Sequence, residues 1–312
     1  DRSVSRGLGD VYKRQVKGGR KILADEIISS AAEHVRFGGV VPEIASRAHT
    51  EAVLEATKRA LGAAGMSFGD IDAIAVTYGA GLLGALLVGV SFAKGLAYAL
   101  DKPLVAVNHI RGHIAAAYLA DEALEPPFVT LLASGGHTAV IRVKDYLGHE
   151  VLGSTLDDAA GEAFDKAARV LGLPYPGGPN IERLAREGEN NIVFPKMLKG
   201  ESGYEFSYSG LKTAVINYCH TKEQKGEPIC RADVAASFQA SAVNVLVERA
   251  VRAAKEYKVN TIAAGGGVVA NGYLRERLQS ACGEAGLKLI LPEKRYCTDN
   301  AAMIAAEGLV QY

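Results

Sequence analysis

The sequence predicts an α/β protein of two lobes, and three observations carry that expectation. The chain has 312 residues, enough for two separate cores. Short apolar runs end in glycine turns at Gly79-Ala80-Gly81, Ser134-Gly135-Gly136 and Gly265-Gly266-Gly267. A fresh apolar strand begins directly after Pro126-Pro127. Apolar residues at 48% and charged residues at 22% are ordinary for a globular protein. Lys+Arg and Asp+Glu balance at 35 each, which excludes a globally basic nucleic-acid binder; any RNA contact must come from local patches or partner proteins. Cys219, Cys230, Cys282 and Cys297 show no paired short spacing and follow no signal peptide, which fits a reduced, cytoplasmic protein.

In chain order, residues 1–15 carry neither apolar period and read as a tail foreign to the fold. Lys17-Gly18-Gly19-Arg20 is a turn and Lys21–Ser29 a strand, half of a hairpin whose other half must come from the tail. Gly38 to Glu43 is a loop, and an amphipathic helix runs over residues 44–64. Residues 71–77 form a strand. Leu82 to Leu100 nearly has the length of a membrane span, but Lys94, Gly84, Gly89 and Gly95 interrupt it, so the expectation is a buried helix packed through its glycines. A strand at 103–107 then delivers Asn108 and a helix opening with His109-Ile110-Arg111-Gly112-His113. At i and i+4 the two imidazoles share a helix face and can reach one metal ion; the same spacing also suits a hydrogen-bonded or solvated pair.

The second lobe is expected over 128–298. Phe128 to Ala133 is a continuous apolar strand, Ser134-Gly135-Gly136-His137-Thr138 a hairpin tip able to cradle an anion, and 139–144 the returning strand. A helix from Asp157 to Leu171 carries Asp157 and Asp158 where they suit its N-terminus, and Asp165 and Lys166 where capping does not explain them. Pro174 to Pro179 is a stiff loop with two glycines. Residues 180–232 read as an irregular insertion in which lysines interleave with Phe194, Tyr204, Phe206, Tyr208 and Tyr218, either an RNA-touching or a plainly solvated surface. A long helix over 234–257 leads to a strand at 261–264, then Gly265-Gly266-Gly267, Asn271 and a further helix, the layout of a nucleotide site at a sheet edge. A last strand at 287–291 and Cys297-Thr298-Asp299-Asn300 precede a closing helix.

Seven of these motifs, His109 to His113, Ser134 to Thr138, Asp157 to Lys166, Pro176 to Pro179, Phe206 to Lys212, Gly265 to Asn271 and Cys297 to Met303, together resemble the bacterial TsaD family. These are the tRNA threonylcarbamoyladenosine transferase subunits once labelled O-sialoglycoprotein endopeptidase. The resemblance runs from about Lys17 onward. It implies the actin-like, sugar-kinase-like (ASKHA) ATPase fold, two related α/β lobes around a central cleft, with the C-terminal helix 299–312 packed back on the first lobe, 16–127. It implies transfer of the threonylcarbamoyl group from threonylcarbamoyl-AMP to the exocyclic amine of the adenosine 3′ of the anticodon in ANN-decoding tRNAs.

By the same resemblance His109, His113 and Asp299 bind a divalent metal, Fe2+ in the family, with Zn2+ chemically suited. Leu132, Ala133, Ser134, Gly135, Gly136, Asp165, Gly178 and Asn271 bind the adenylate, with His137, Lys166, Gly266 and Gly267 as further candidates. A carboxylate near the amine takes its proton, and no one candidate is singled out. The implied partners are tRNA, a paralogous actin-like subunit, a small P-loop ATPase and the synthase that makes the adenylate; no membrane is implied.

The chain departs from the family in four places. Residues 1–15 stand where the family has its first strand and phosphate-binding hairpin. Arg111 replaces a Glu between the histidines, a reversed charge beside a cation. Ala80 replaces the proline of a Gly-Pro-Gly turn. The chain also stops early. Two other readings stay open: a metal-dependent hydrolase or peptidase, which lacks the His-Glu-x-x-His base, and a non-catalytic, actin-like nucleotide-binding scaffold.

Overall fold

The computed structural model describes residues 10–17, 21–29, 41–195, 198 and 203–312, with the side chains of 10–17, Asp25 and Ser29 left aside. The expected turn at Gly18 to Arg20, the start of the loop at Gly38, residues 1–9 of the tail and Lys196 and Lys199 lie outside them. The chain forms two compact units. One joins residues 1–125 to 292–312; the other spans 126–291.

The first unit opens with strands β1 (Asp10–Lys17) and β2 (Lys21–Ser29), paired antiparallel from Asp10↔Ser29 to Lys17↔Lys21 with a bulge at Gln15/Val16. Residues 10–15, read from the sequence as tail, are thus strand. A register with a neighbour, invisible to apolar periodicity, defines them. Helix α1 (Pro42–Ala64) begins with Pro42 in its first turn and ends at Gly65 with φ 65°, the left-handed closure that glycine adopts freely. Strands β3 (Ile74–Gly79) and β4 (Leu104–Asn108) pair in parallel, linked by helix α2 (Leu83–Leu100). The Gly79-Ala80 peptide bond is cis.

The expectation that α2 is buried through its glycines is corrected. Its buried residues are Ala85, Ala93 and Ala97, on the face where Phe92 packs with Val53 and Ala56 of α1. Leu83, Leu87 and Tyr98 stand out to solvent at 72%, 57% and 91% exposure. Of the three glycines only Gly84 touches a neighbour closely, Ser46; a Cβ at Gly95 meets nothing. Small residues on one stripe set the packing, and large ones at i and i+4 form the other face. By length and composition this helix could cross a membrane.

Helix α3 (His109–Ala120) follows β4 directly, with the Asn108 side chain accepting from Ile110 N as its cap. Against it lies the C-terminal helix α10 (Ala301–Gln311), reached through the short α9 (Lys294–Cys297) and capped by Asn300 accepting from Met303 N. Val107, Ala116, Met303 and Ile304 form the core between them.

The second unit is built on a five-stranded sheet, in order β7 (His149–Ser154), β6 (Thr138–Val143), β5 (Phe128–Ala133), β8 (Thr261–Gly265) and β9 (Lys288–Ile290). Its β5–β6–β7 part is antiparallel, while β5–β8 and β8–β9 are parallel. All six residues of β5 are buried, as expected for a central strand covered on both faces. Helices α4 (Ala160–Val170), α5 (Gly177–Ala185), α6 (Ser209–Gln224), α7 (Arg231–Glu256) and α8 (Gly272–Ala285) complete it. Much of 180–232 is therefore helical rather than irregular, and its aromatics serve the interior: Phe194, Tyr204, Phe206 and Tyr208 are buried.

Candidate functional site

Local sequence places the first two ligands of a candidate metal centre. Strand β4 ends at Asn108, whose side chain starts α3 at once, so His109 and His113 occupy its first and second turns. The third comes from the far end of the chain, where Asp299 immediately precedes the Asn300 cap of α10. Asp299 Oδ1 lies 3.3 Å from His109 Nε2 and 3.0 Å from His113 Nε2. The two rings meet edge to face with centroids 4.7 Å apart, and one donor atom from each residue falls within 4.8 Å of the others. This is the one group of three or more potential metal ligands found among the described residues.

Its electrostatics suit a cation. Burial holds the His113 imidazole below its ordinary pKa, more than the adjacent Asp299 raises it, so the ring stays in the neutral, ligating form. Burial alone would raise the Asp299 carboxyl, but the two imidazoles hold it well below the carboxylate range, and it stays ionised. The Nδ1 of His113 is buried without a hydrogen-bond partner among the described residues, and its Nε2 has Asp299 Oδ1 in reach at 3.0 Å. Two imidazoles and one carboxylate fit a divalent ion that keeps open coordination positions. His109 and Asp299 also border a cavity of about 930 Å³ with apolar walls that include Val53, Phe92, Val105 and Met303.

Arg111 does not face this cluster. At about 100° per residue it projects from the side of α3 opposite both histidines, and its Nε donates to Glu307 Oε1 of α10 at 2.7 Å.

The candidate adenylate residues lie in the second unit, where short contacts join the β5 tip to the start of α4 and Asp165 to the start of α5. The tip after β5 is closed by Ser134 N donating to His137 O (2.8 Å) and His137 N donating to Ser134 Oγ (3.0 Å). It rests on the start of α4: Gly161 N donates to Ser134 O, and a Cβ at Gly161 would come within 2.8 Å of Gly135 Cα. Gly266, with φ 98°, sits against Ala133 and Ser134, where no side chain would fit. Asp165 Oδ1 accepts from Gly177 N at 2.7 Å, tying α4 to α5. Gly177 and Gly178 therefore form the first turn of a helix, not the expected loop. A Cβ at Gly177 would strike Asp165 and Ala168, whereas one at Gly178 meets nothing among the described residues.

Other candidates hold structural posts. Asn271 caps α8, accepting from Leu274 N and donating to the buried Gln239 Oε1, both at 2.9 Å. Gln239 escaped the sequence reading because nothing distinguishes a polar residue on an amphipathic helix from a solvated one. Leu132 is a core residue of β5. Lys166 bridges Asp158 and Glu162 at 2.5 and 2.9 Å. Gly267 opens a 3-10 turn, and His137 is half-buried at the tip. Asp157 and Asp158 are not helix caps: the N-cap of α4 is Ala159. Asp157 instead accepts from Ser207 Oγ, Ser209 Oγ and the backbone N–H groups of Tyr208 and Ser209.

The chain as a whole is similar to proteins of known family. A family model described as TsaD, tRNA N6-adenosine threonylcarbamoyltransferase, matches residues 21–306. A relative of that name from Moorella thermoacetica is 54% identical over 298 residues, covering 95% of this chain and 87% of the relative. One from Clostridium perfringens is 53% identical over 292 residues, covering 93% and 86%. Among solved structures, full-length HypF in its phosphate- and nucleotide-bound form superposes with a TM-score of 0.62 at 16% identity, over 88% of this chain and 50% of HypF. HypF from T. kodakarensis gives 0.63 at 17%, over 82% and 42%. At such identity the likeness is one of fold.

Proposed function

The chain belongs to the TsaD family of tRNA N6-adenosine threonylcarbamoyltransferases, with its actin-like, sugar-kinase-like α/β fold, and we propose that it transfers a threonylcarbamoyl group from threonylcarbamoyl-AMP to the N6 amine of the adenosine 3′ of the anticodon in ANN-decoding tRNAs. The observation that carries this reading is the closure of buried His109 and His113 with half-buried Asp299 into one ligand set, inside a chain more than half identical to enzymes of that name.

In the reaction the adenine amine forms an N–C bond to the carbamoyl carbon, the C–O bond to the adenylate phosphate breaks, AMP leaves, and the amine proton passes to a base. His109, His113 and Asp299 would hold the metal, Fe2+ by family and Zn2+ by donor chemistry, which when bound supplies Lewis acidity to a carbamoyl oxygen. The hairpin tip Ala133 to Gly136 and the glycine at 178 let the adenylate approach backbone closely, while Gly266 lets the tip pack against the end of β8. Asn271 is held by Gln239. Asp165 acts from behind, fixing the first turn of α5 through Gly177 N. The reading places the protein in the cytoplasm with tRNA, a paralogous actin-like subunit and a small P-loop ATPase. The apolar stripe of α2 has the chemistry of a protein contact.

The test is elemental analysis of the metal-replete chain beside the double variant His109→Ala/His113→Ala. One metal per chain, lost in the variant together with tRNA modification in the reconstituted system, is the expected result. A metal-free parent chain would sink the metal-centred reading.

A further inference from the structure

The ligand set is split between two elements: α3 carries both histidines, and Asp299 comes from the residue just before the Asn300 cap of α10. Arg111 sits between the histidines in sequence though on the other side of α3, and a guanidinium without a counter-charge would oppose a divalent cation through a poorly solvated interior. It is held there by Glu307, whose side chain is 1% exposed and whose Oε1 accepts from Arg111 Nε and from Gln311 Nε2, each at 2.7 Å. Between the pair and the ligands the helices touch closely: a Cβ at Gly112 would come within 2.7 Å of Ile304 Cδ1 and 3.3 Å of Met303 Cγ. An acid on the C-terminal helix, two turns past its cap, thus faces the one cation on the histidine helix that could disturb the site.

We propose that Glu307 is a positioning residue of the metal centre: its carboxylate anchors and neutralises Arg111 on the far side of α3, leaving His109, His113 and Asp299 to a divalent cation. This rests on the metal reading above. A carboxylate there costs desolvation, and removing only one member of such a pair leaves the other uncompensated. Removing both discards the disturbing charge along with its partner. The inference therefore makes a prediction of sign that a merely structural contact does not.

The experiment is titration of the full-length, metal-free chain with Co2+, read by the ligand-field absorption of bound cobalt, with a thermal melt of each metal-free variant beside it. Glu307→Gln keeps the shape but not the charge, and weakens Co2+ binding about tenfold, in keeping with the effect of groups that support metal ligands. Adding Arg111→Met to it returns the affinity to within about threefold of the parent chain. Arg111→Met alone, which holds the answer if Glu307→Gln does not fold, binds Co2+ at least as well as the parent. Unchanged affinity in Glu307→Gln, or a double variant as weak as the single one, overturns the inference while leaving the metal site standing. A parent chain that binds no Co2+ overturns the metal reading, and this inference with it.

Discussion

Asp157 illustrates how one side chain can organise a segment 50 residues away. Its two oxygens collect four donors from Ser207, Tyr208 and Ser209, fixing the loop that enters α6 just where buried Tyr208 donates its hydroxyl to Ala242 O. Burial would raise its pKa, but the hydrogen bonds outweigh it and hold the carboxyl below its ordinary value. The native state therefore prefers the ionised form more than the unfolded chain does. The resulting stability is complete above the unfolded value near 3.9 and is lost as pH falls through the lower native value. Because the group is largely solvated, Asp157→Asn should cost only about 1 kcal/mol at neutral pH. In urea melts that deficit should shrink toward zero as the pH is taken below the carboxylate range; a deficit that grows on acidification would refute the assignment.

At the scale of elements, α2 departs most from its sequence reading. Apolar composition with three glycines suggests burial, yet the packing face is a stripe of alanines, and Leu83, Leu87 and Tyr98 project outward. Composition cannot tell these cases apart, because a helix that docks on a partner protein has the same residues as one buried in its own core. Leu87→Lys should leave the melting temperature within about 0.5 kcal/mol of the parent chain in stability. The same change should weaken association with the paralogous actin-like subunit in size-exclusion runs; equal co-elution of variant and parent would remove α2 from the interface. The β1–β2 hairpin was half legible, since Lys21–Ser29 carries strand propensity while Asp10–Lys17 takes its form from pairing. Strand β7 and the helical first turn at Gly177 also went unread, one an edge strand and the other a glycine-rich start that Asp165 captures.

For the whole molecule, the first unit closes through its C-terminus, since residues 292–312 return to the unit that holds the histidines. That return brings Asp299 to them, so a metal held there would link its binding to C-terminal docking. Chelation should therefore lower the thermal midpoint of the parent chain and abolish tRNA modification in the reconstituted system, with both restored by Fe2+ or Zn2+. An unshifted midpoint with full activity after exhaustive chelation would contradict the linkage. The sequence by itself determined the α/β class, most element positions, the histidine pair and the family, because apolar periodicity, glycine turns and an i, i+4 spacing are local patterns. Tertiary structure alone decided where Asp299 Oδ1 stands relative to the two imidazoles, that Arg111 is spent on Glu307, and that Gln239 holds Asn271. These are contacts between residues 32 to 196 positions apart, set by how elements pack and not by any pattern along the chain.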